Sequence, residues 1–266
     1  MEPNFRLTRE HRAEFDSVGV LRLPGFFDPA TIAPMARALW ADLSQRNGIE
    51  QYRPETWTVQ RPGQYQALER TGVFDPLGSQ RLQTLVDGFL GAGDWERPRR
   101  WGQPLVTFPT GQWDVPHNTW HIDLPATHRQ APLPDGLPGI RIFTFLEAVR
   151  PRGGGTPYVA GSHNVVLDRA RAAPPGERLK SADLRAILQR EEPWFGALFA
   201  PGGEDRVRRF MVEGGKARGF PVRVQEMTGE PGDLVVMHPA MVHTVADNAL
   251  DRPRMMLVQA LYRRDR

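Results

Sequence analysis

The chain has 266 residues, 34 lysines and arginines against 31 aspartates and glutamates, and no cysteine. The missing thiols exclude disulfides, thiolate catalysis and zinc–cysteine sites, and they suit a reducing compartment, so a cytoplasmic location is expected. A net charge of +3 without a basic stripe interleaved with aromatics argues against a nucleic-acid partner.

No run approaches the roughly 18 apolar residues that a membrane helix needs, and MEPNFRLTREHRAEF lacks the apolar stretch of a secretory signal. Residues 7–18 (LTREHRAEFDSV) predict a helix opened by Thr8, with Glu10 in its first turn. GVLRLPGFF at 19–27 predicts a short strand closed by a Pro-Gly turn. Asp28 and Pro29 open a helix to about Arg46, with Ile32, Met35, Ala36, Leu39 and Leu43 on one face and Asn47-Gly48 as its stop. Pro34 is awkward inside a helix, so the regular part is expected to begin nearer Thr31. Segment 48–78 is irregular. Ser79 then opens another helix, with Leu82, Leu85, Val86 and Phe89 at helical spacing.

From about residue 101 the texture changes. QPLVTF, TWHIDL, IRIFTFLEAV, TPYVAG, PVRVQEM, DLVVMH and RMMLVQALY are short apolar or alternating runs separated by glycine and proline turns. With 26 glycines and 25 prolines in the chain, they predict a β-sandwich or barrel. Residues 165–218 interrupt the series, helical through SADLRAILQREEPWF and loop-like through APGGEDRVRRF. Insertions of this length are usually lids or binding loops. The organisation expected is one domain over 1–266: a helical region at about 1–100, a β core at about 101–266, and the insertion at about 165–218.

His121-Ile122-Asp123 lies in TWHIDLP. On extended backbone, residues two apart face the same way, so the imidazole and carboxylate would project together. By itself the pair reads equally as a surface histidine beside a solvated aspartate. GDLVVMHPAMVHTVADNALDRPRMML adds His238, His243 and, eleven residues past His243, Arg254. Two histidines and a carboxylate that leave positions open form the facial triad of non-haem Fe(II) oxygenases. The forked guanidinium of Arg254 suits the carboxylate of a cofactor acid. His238 competes with His243 as the third ligand, and the spacing to Arg254 favours His243.

These motifs, with the start from Leu7 to Pro29 and GGGTPYVAGSH at 153–163, resemble the phytanoyl-CoA dioxygenase (PhyH-like) family of Fe(II)/2-oxoglutarate-dependent oxygenases. The resemblance does not extend to 48–100 or to the insertion. It implies a mainly β fold, a double-stranded β-helix (jelly-roll, cupin-like) core with N-terminal and inserted helices. It implies that His121, Asp123 and His243 hold Fe(II), that Arg254 and Thr156 bind the far carboxylate of 2-oxoglutarate, and that Thr119 faces this cosubstrate. The activity implied is oxidation by O2, hydroxylation or a related reaction, of an unactivated C–H in a small molecule, with release of succinate and CO2. Asp123 favours hydroxylation over halogenation, because halogenating relatives carry a small residue at that position.

The chain departs from the family pattern at Ala160, where proline is usual, and at Val245, where serine is frequent. It also departs in the long spacing between Asp123 and His243. A cupin-like metal isomerase or epimerase, or a non-catalytic β-sandwich binding module, are the alternatives. His117 and His128 are expected at the mouth or surface, Trp120 in the core or the mouth wall, His163 and Asn248 in structural turns, and Arg206, Arg208 and Arg209 on a solvated face.

Overall fold

The computed structural model describes residues 5–203 and 205–264. Helix α1 (Arg9–Val18) begins at Thr8, whose hydroxyl accepts from the His11 amide at 3.2 Å, and ends at Gly19 with φ 82°. That left-handed turn costs glycine little, and a Cβ there would lie 2.5 Å from the His163 ring. Strand β1 (Val20–Leu23) follows and is closed by the Pro24-Gly25 turn, as expected. Helix α2 (Pro29–Asn47) is capped by the Asp28 carboxylate and carries Pro34 inside it. Ile32, Met35, Ala36, Leu39, Trp40 and Leu43 are buried along it. Burial on both sides of Pro34 thus outweighs the single hydrogen bond that the proline removes. Segment 48–78 holds a short helix, α3 (Gln66–Arg70), and α4 (Gln80–Leu90) starts from the Ser79 cap.

Six of the seven apolar runs form strands: β2 (Gln103–Thr107), β3 (Gly139–Phe145), β4 (Pro157–Ala160), β6 (Phe220–Glu226), β7 (Leu234–Met237) and β8 (Arg254–Tyr262). TWHIDL joins no ladder and makes a single antiparallel bridge at His121. The insertion carries α5 (Ser162–Arg171), α6 (Ser181–Glu191) and α7 (Pro193–Phe199), the last two separated where Pro193 starts a new helix. Its end, expected to be loop, forms a π-helical turn (Arg208–Glu213) and a short strand, β5 (Gly215–Ala217).

Two antiparallel sheets result, one ordered β1-β7-β3-β8-β2 and one ordered β4-β6-β5. Alternation sorts the side chains of the larger sheet. Ile140, Ile142, Met255 and Leu257 pack outward against α1, α2 and α4. Phe143, Phe145, Met256 and Val258 point inward and meet Tyr158, Met227 and Met241 from the side of the smaller sheet. The outer face of the smaller sheet is covered by α5, α6 and α7 through Val165, Leu184, Leu188, Phe195 and Val222. The layers therefore run helices, sheet, sheet, helices. No helix among the described residues is long and apolar enough to cross a membrane.

Candidate metal and cosubstrate site

The two sequence motifs meet along a backbone pair. His121 N donates to His243 O at 2.9 Å, and His243 N donates to His121 O at 3.0 Å. Val159 N donates to Val242 O, and Thr244 N to Pro157 O, so residues 242–244 lie beside β4 and continue the smaller sheet. Ser162, of the Gly-Ser-His turn, is fully buried and accepts from Val242 N at 2.9 Å. Asp123 is held by its own amide, which donates to Pro239 O at 3.1 Å.

The ligand-capable atoms of His121, Asp123 and His243 all lie within 4.8 Å of one another. Asp123 Oδ2 is 3.2 Å from His243 Nε2 and 3.7 Å from His121 Nε2. Each imidazole presents Nδ1 to a carbonyl, Thr119 O for His121 (2.9 Å) and Met241 O for His243 (3.0 Å). A carbonyl only accepts, so Nδ1 carries the proton and Nε2 turns its lone pair to the centre of the cluster. Burial, then the neighbouring His243, lowers the His121 pKa. Burial pushes the Asp123 carboxyl up, but His243, Arg141 and His121 outweigh it and bring it down to about 2. Two neutral imidazole nitrogens and one carboxylate fit a divalent first-row transition metal.

His238 is not part of this cluster. Its Nδ1 accepts from Ala240 N at 3.0 Å, and its ring packs beside His163 and Phe15. Burial drives its pKa well below the usual histidine value. It is a neutral core histidine, and His163, whose Nε2 meets Asp16 O at 3.0 Å, is its structural neighbour.

Arg254 lies on β8 with its side chain inward, 3% exposed, and donates from Nη1 to Thr156 Oγ1 at 3.1 Å. Burial pulls its pKa down to about 10. Thr156 follows Gly155, where a Cβ would lie 2.2 Å from Met227 O, so only glycine lets the chain pass this close. Thr119 departs from the extended alternation expected of it: its φ is 59°, and its hydroxyl pairs with Thr244 Oγ1 at 2.7 Å. Its contribution visible here is the carbonyl that orients His121.

Several residues of the site carry no motif. Arg141, on the inward face of β3, places Nη2 3.0 Å from Asp123 Oδ2. An arginine within the apolar run IRIFTF was the available signal. Ser181 opens α6 and accepts from Ile122 N at 2.9 Å, between His121 and Asp123. Arg206, expected on a solvated face, is buried instead. It donates to five carbonyls, those of Val115, Pro116, Leu198, Ala200 and Gly202. It thereby ties the insertion to the segment leading into His121. Arg208 and Arg209 are exposed, as expected. Trp120 is buried and donates to Pro116 O, and Asn248 is a buried turn-former whose amide donates to Thr107 O and Arg252 O.

Residues 15–256 match the family model of phytanoyl-CoA dioxygenase (PhyH). The chain belongs to that family. No curated protein sequence is significantly similar to it. Among solved structures, this PhyH-family chain is similar to HygX from Streptomyces hygroscopicus, crystallised with nickel and 2-oxoglutarate (18% identity, 97% of this chain and 88% of that one, TM-score 0.54). It is also similar to EvdO2 from Micromonospora carbonacea var. aurantiaca, complexed with 2-oxoglutarate (17%, 99% and 94%, TM-score 0.55). A third is SnoN, a non-haem α-ketoglutarate-dependent epimerase from nogalamycin biosynthesis (18%, 95% and 81%, TM-score 0.53). HygX was also crystallised with hygromycin B bound.

Proposed function

We propose that this PhyH-family chain is an Fe(II)- and 2-oxoglutarate-dependent dioxygenase that hydroxylates, or otherwise oxidises, an unactivated C–H of a small organic molecule. The observation that carries the reading is the convergence of His121, Asp123 and His243 in a fold that also buries Arg254 against Thr156. His121, Asp123 and His243 would hold Fe(II) through two nitrogens and one oxygen, a donor set that leaves room for a 2-oxo acid and O2. Iron and 2-oxoglutarate, when bound, supply the oxidising chemistry at the expense of decarboxylation to succinate and CO2.

The protein's part is geometry. Thr119 O and Met241 O keep both histidines in the tautomer that ligates through Nε2. Arg141 steadies the Asp123 carboxylate from the side. Arg254 and Thr156 take the far carboxylate of the cosubstrate, which fixes its 2-oxo end towards the three ligands. The double-stranded β-helix arrangement accounts for two inward faces meeting at one site. Solved complexes of relatives with 2-oxoglutarate, and of HygX with hygromycin B, support a small-molecule substrate.

The test is anaerobic loading with Fe(II) and 2-oxoglutarate, then exposure to O2 with a library of small metabolites. Succinate release and a product heavier by one oxygen are expected. A product of unchanged mass would instead assign epimerisation, the activity named for SnoN. Conversion without O2 or 2-oxoglutarate would favour a cupin-like isomerase, and failure to retain metal would favour a binding module.

A further inference from the structure

The two sides of the ligand cluster differ in exposure. The side chains of His121, Asp123 and Arg141 are 41%, 24% and 22% exposed, against 5% for His243, and Arg254 is buried. The inward face of the larger sheet grades the same way. Along β2 it runs from buried Thr107 through half-buried Leu105 to exposed Gln103, and along β8 from buried Arg254, Met256 and Val258 to half-buried Ala260. Arg141 pairs across its ladders with Ala260 on one side and Met237 on the other. The space between the sheets therefore opens at the Gln103–Ala260 end. Arg141 stands in that mouth beside the metal ligands, away from the closed end that holds Arg254.

A guanidinium has five N–H donors. Arg206 spends its donors on five carbonyls and is a structural tie. Arg141 is used differently: Nη2 meets Asp123, and the buried Nε has no hydrogen-bond partner. Its neighbours on the inward face, Met237, Phe143 and Ala260, are apolar and offer it no acceptor side chain. Among the described residues, Asp123 is the acid that pairs with it, and Asp123 is also the carboxylate placed to hold the metal. With a divalent metal and a dianionic 2-oxo acid in place, the positive charges would be two on the metal and one each on Arg141 and Arg254. Asp123 and the acid would oppose them with three, the imidazoles being neutral. A site shielded from water does not carry an uncompensated charge cheaply.

We infer that Arg141 is a specificity-determining residue and that the molecule oxidised is a carboxylic acid, its carboxylate received by the spare donors of Arg141 at the mouth. The planar fork of an arginine takes a carboxylate through two parallel hydrogen bonds. The apolar wall of Leu105, Val258 and Ala260 suits the hydrocarbon part of such an acid. Held by its carboxylate beside Asp123, the substrate has one end fixed, and the C–H that is oxidised is selected by its distance from that end. The inference rests on the function proposed above and names its substrate class.

The experiment uses wild-type protein, Arg141→Gln and Arg141→Lys, each held at saturating redox-inert Ni2+ and 2-oxoglutarate. The probes are metabolite-sized carboxylic acids, each paired with its primary amide, and affinity is read from the shift in melting temperature and confirmed by calorimetry. In the wild-type protein the acids that bind should do so at least about tenfold more tightly than their amides, the worth of a charge-assisted hydrogen bond. That ratio should fall to near one in Arg141→Gln and keep an intermediate value in Arg141→Lys. A purely structural role for Arg141 would weaken both members of a pair alike and leave the ratio unmoved. Absence of any binding acid, a wild-type ratio near one, or a ratio unchanged in Arg141→Gln would overturn the inference and leave the proposed function standing. Failure of the wild-type protein to bind 2-oxoglutarate would overturn both.

Discussion

His121 and His243 form a closed antiparallel pair, each donating its amide to the other's carbonyl, with their rings 4.2 Å apart. The main chain, not the imidazoles, makes this junction. Replacing either ring by alanine should therefore leave the fold intact while removing a ligand. His121→Ala and His243→Ala should each weaken divalent-metal binding by at least about 100-fold, as loss of a ligating or orienting group does, with an unchanged circular dichroism spectrum. His238→Asn should retain metal. Metal analysis after gel filtration separates the cases, and the reverse pattern would assign His238 as the ligand.

Arg254 is a buried cation that donates to a neutral hydroxyl, Thr156 Oγ1, and has no carboxylate beside it among the described residues. Truncating a buried charge-pair anchor costs roughly 2–5 kcal/mol of binding. Arg254→Met should thus weaken 2-oxoglutarate binding by about 30-fold or more, measured by calorimetry on Ni2+-loaded protein. The same variant should be no less stable in the cosubstrate-free state, since an apolar side chain replaces a desolvated charge. A clear loss of cosubstrate-free stability would make Arg254 a structural residue.

Arg206 donates to five main-chain carbonyls from inside the insertion. Arg206→Met leaves buried acceptors unsatisfied and should cost about 3–5 kcal/mol in urea unfolding. Because Val115 and Pro116 lead directly to His121, metal affinity should fall as well. Arg208→Met, at an exposed pair with Glu213, should change neither by much.

His238 and His163 are both held neutral by burial. Their folded pKa values lie below the unfolded value of about 6.5, so below that pH the unfolded chain takes up protons that the folded one refuses. Stability should be flat above about pH 6.5 with respect to these groups and fall as the pH drops towards their folded values. His238→Asn should shallow that fall. A urea-denaturation series from pH 8 to pH 5 measures it, and an identical slope in the variant would remove His238 as its source.

Much of the scaffold could be read from local chemistry. Thr8, Asp28 and Ser79 marked helix starts because their side chains satisfy first-turn amides, and six apolar runs formed strands because alternation and burial act at short range. Pro34 was misplaced because the packing that tolerates it comes from residues on both sides of the helix turn and the sheet beneath. TWHIDL was misread as a strand for a related reason. Thr119 turns left-handed to pair with Thr244, a partner 125 residues away.

The candidate metal-binding residue types, their order and the family were legible in the sequence itself, because His-x-Asp, a later histidine and an arginine eleven residues past it are side-chain requirements written directly in the chain. Tertiary structure alone decided what surrounds them. It selected which histidine faces Asp123, set Arg141 beside that carboxylate, buried Arg206 and brought Thr156 to Arg254. Each depends on contacts between distant segments and on solvent exclusion, and neither leaves a local pattern in the chain.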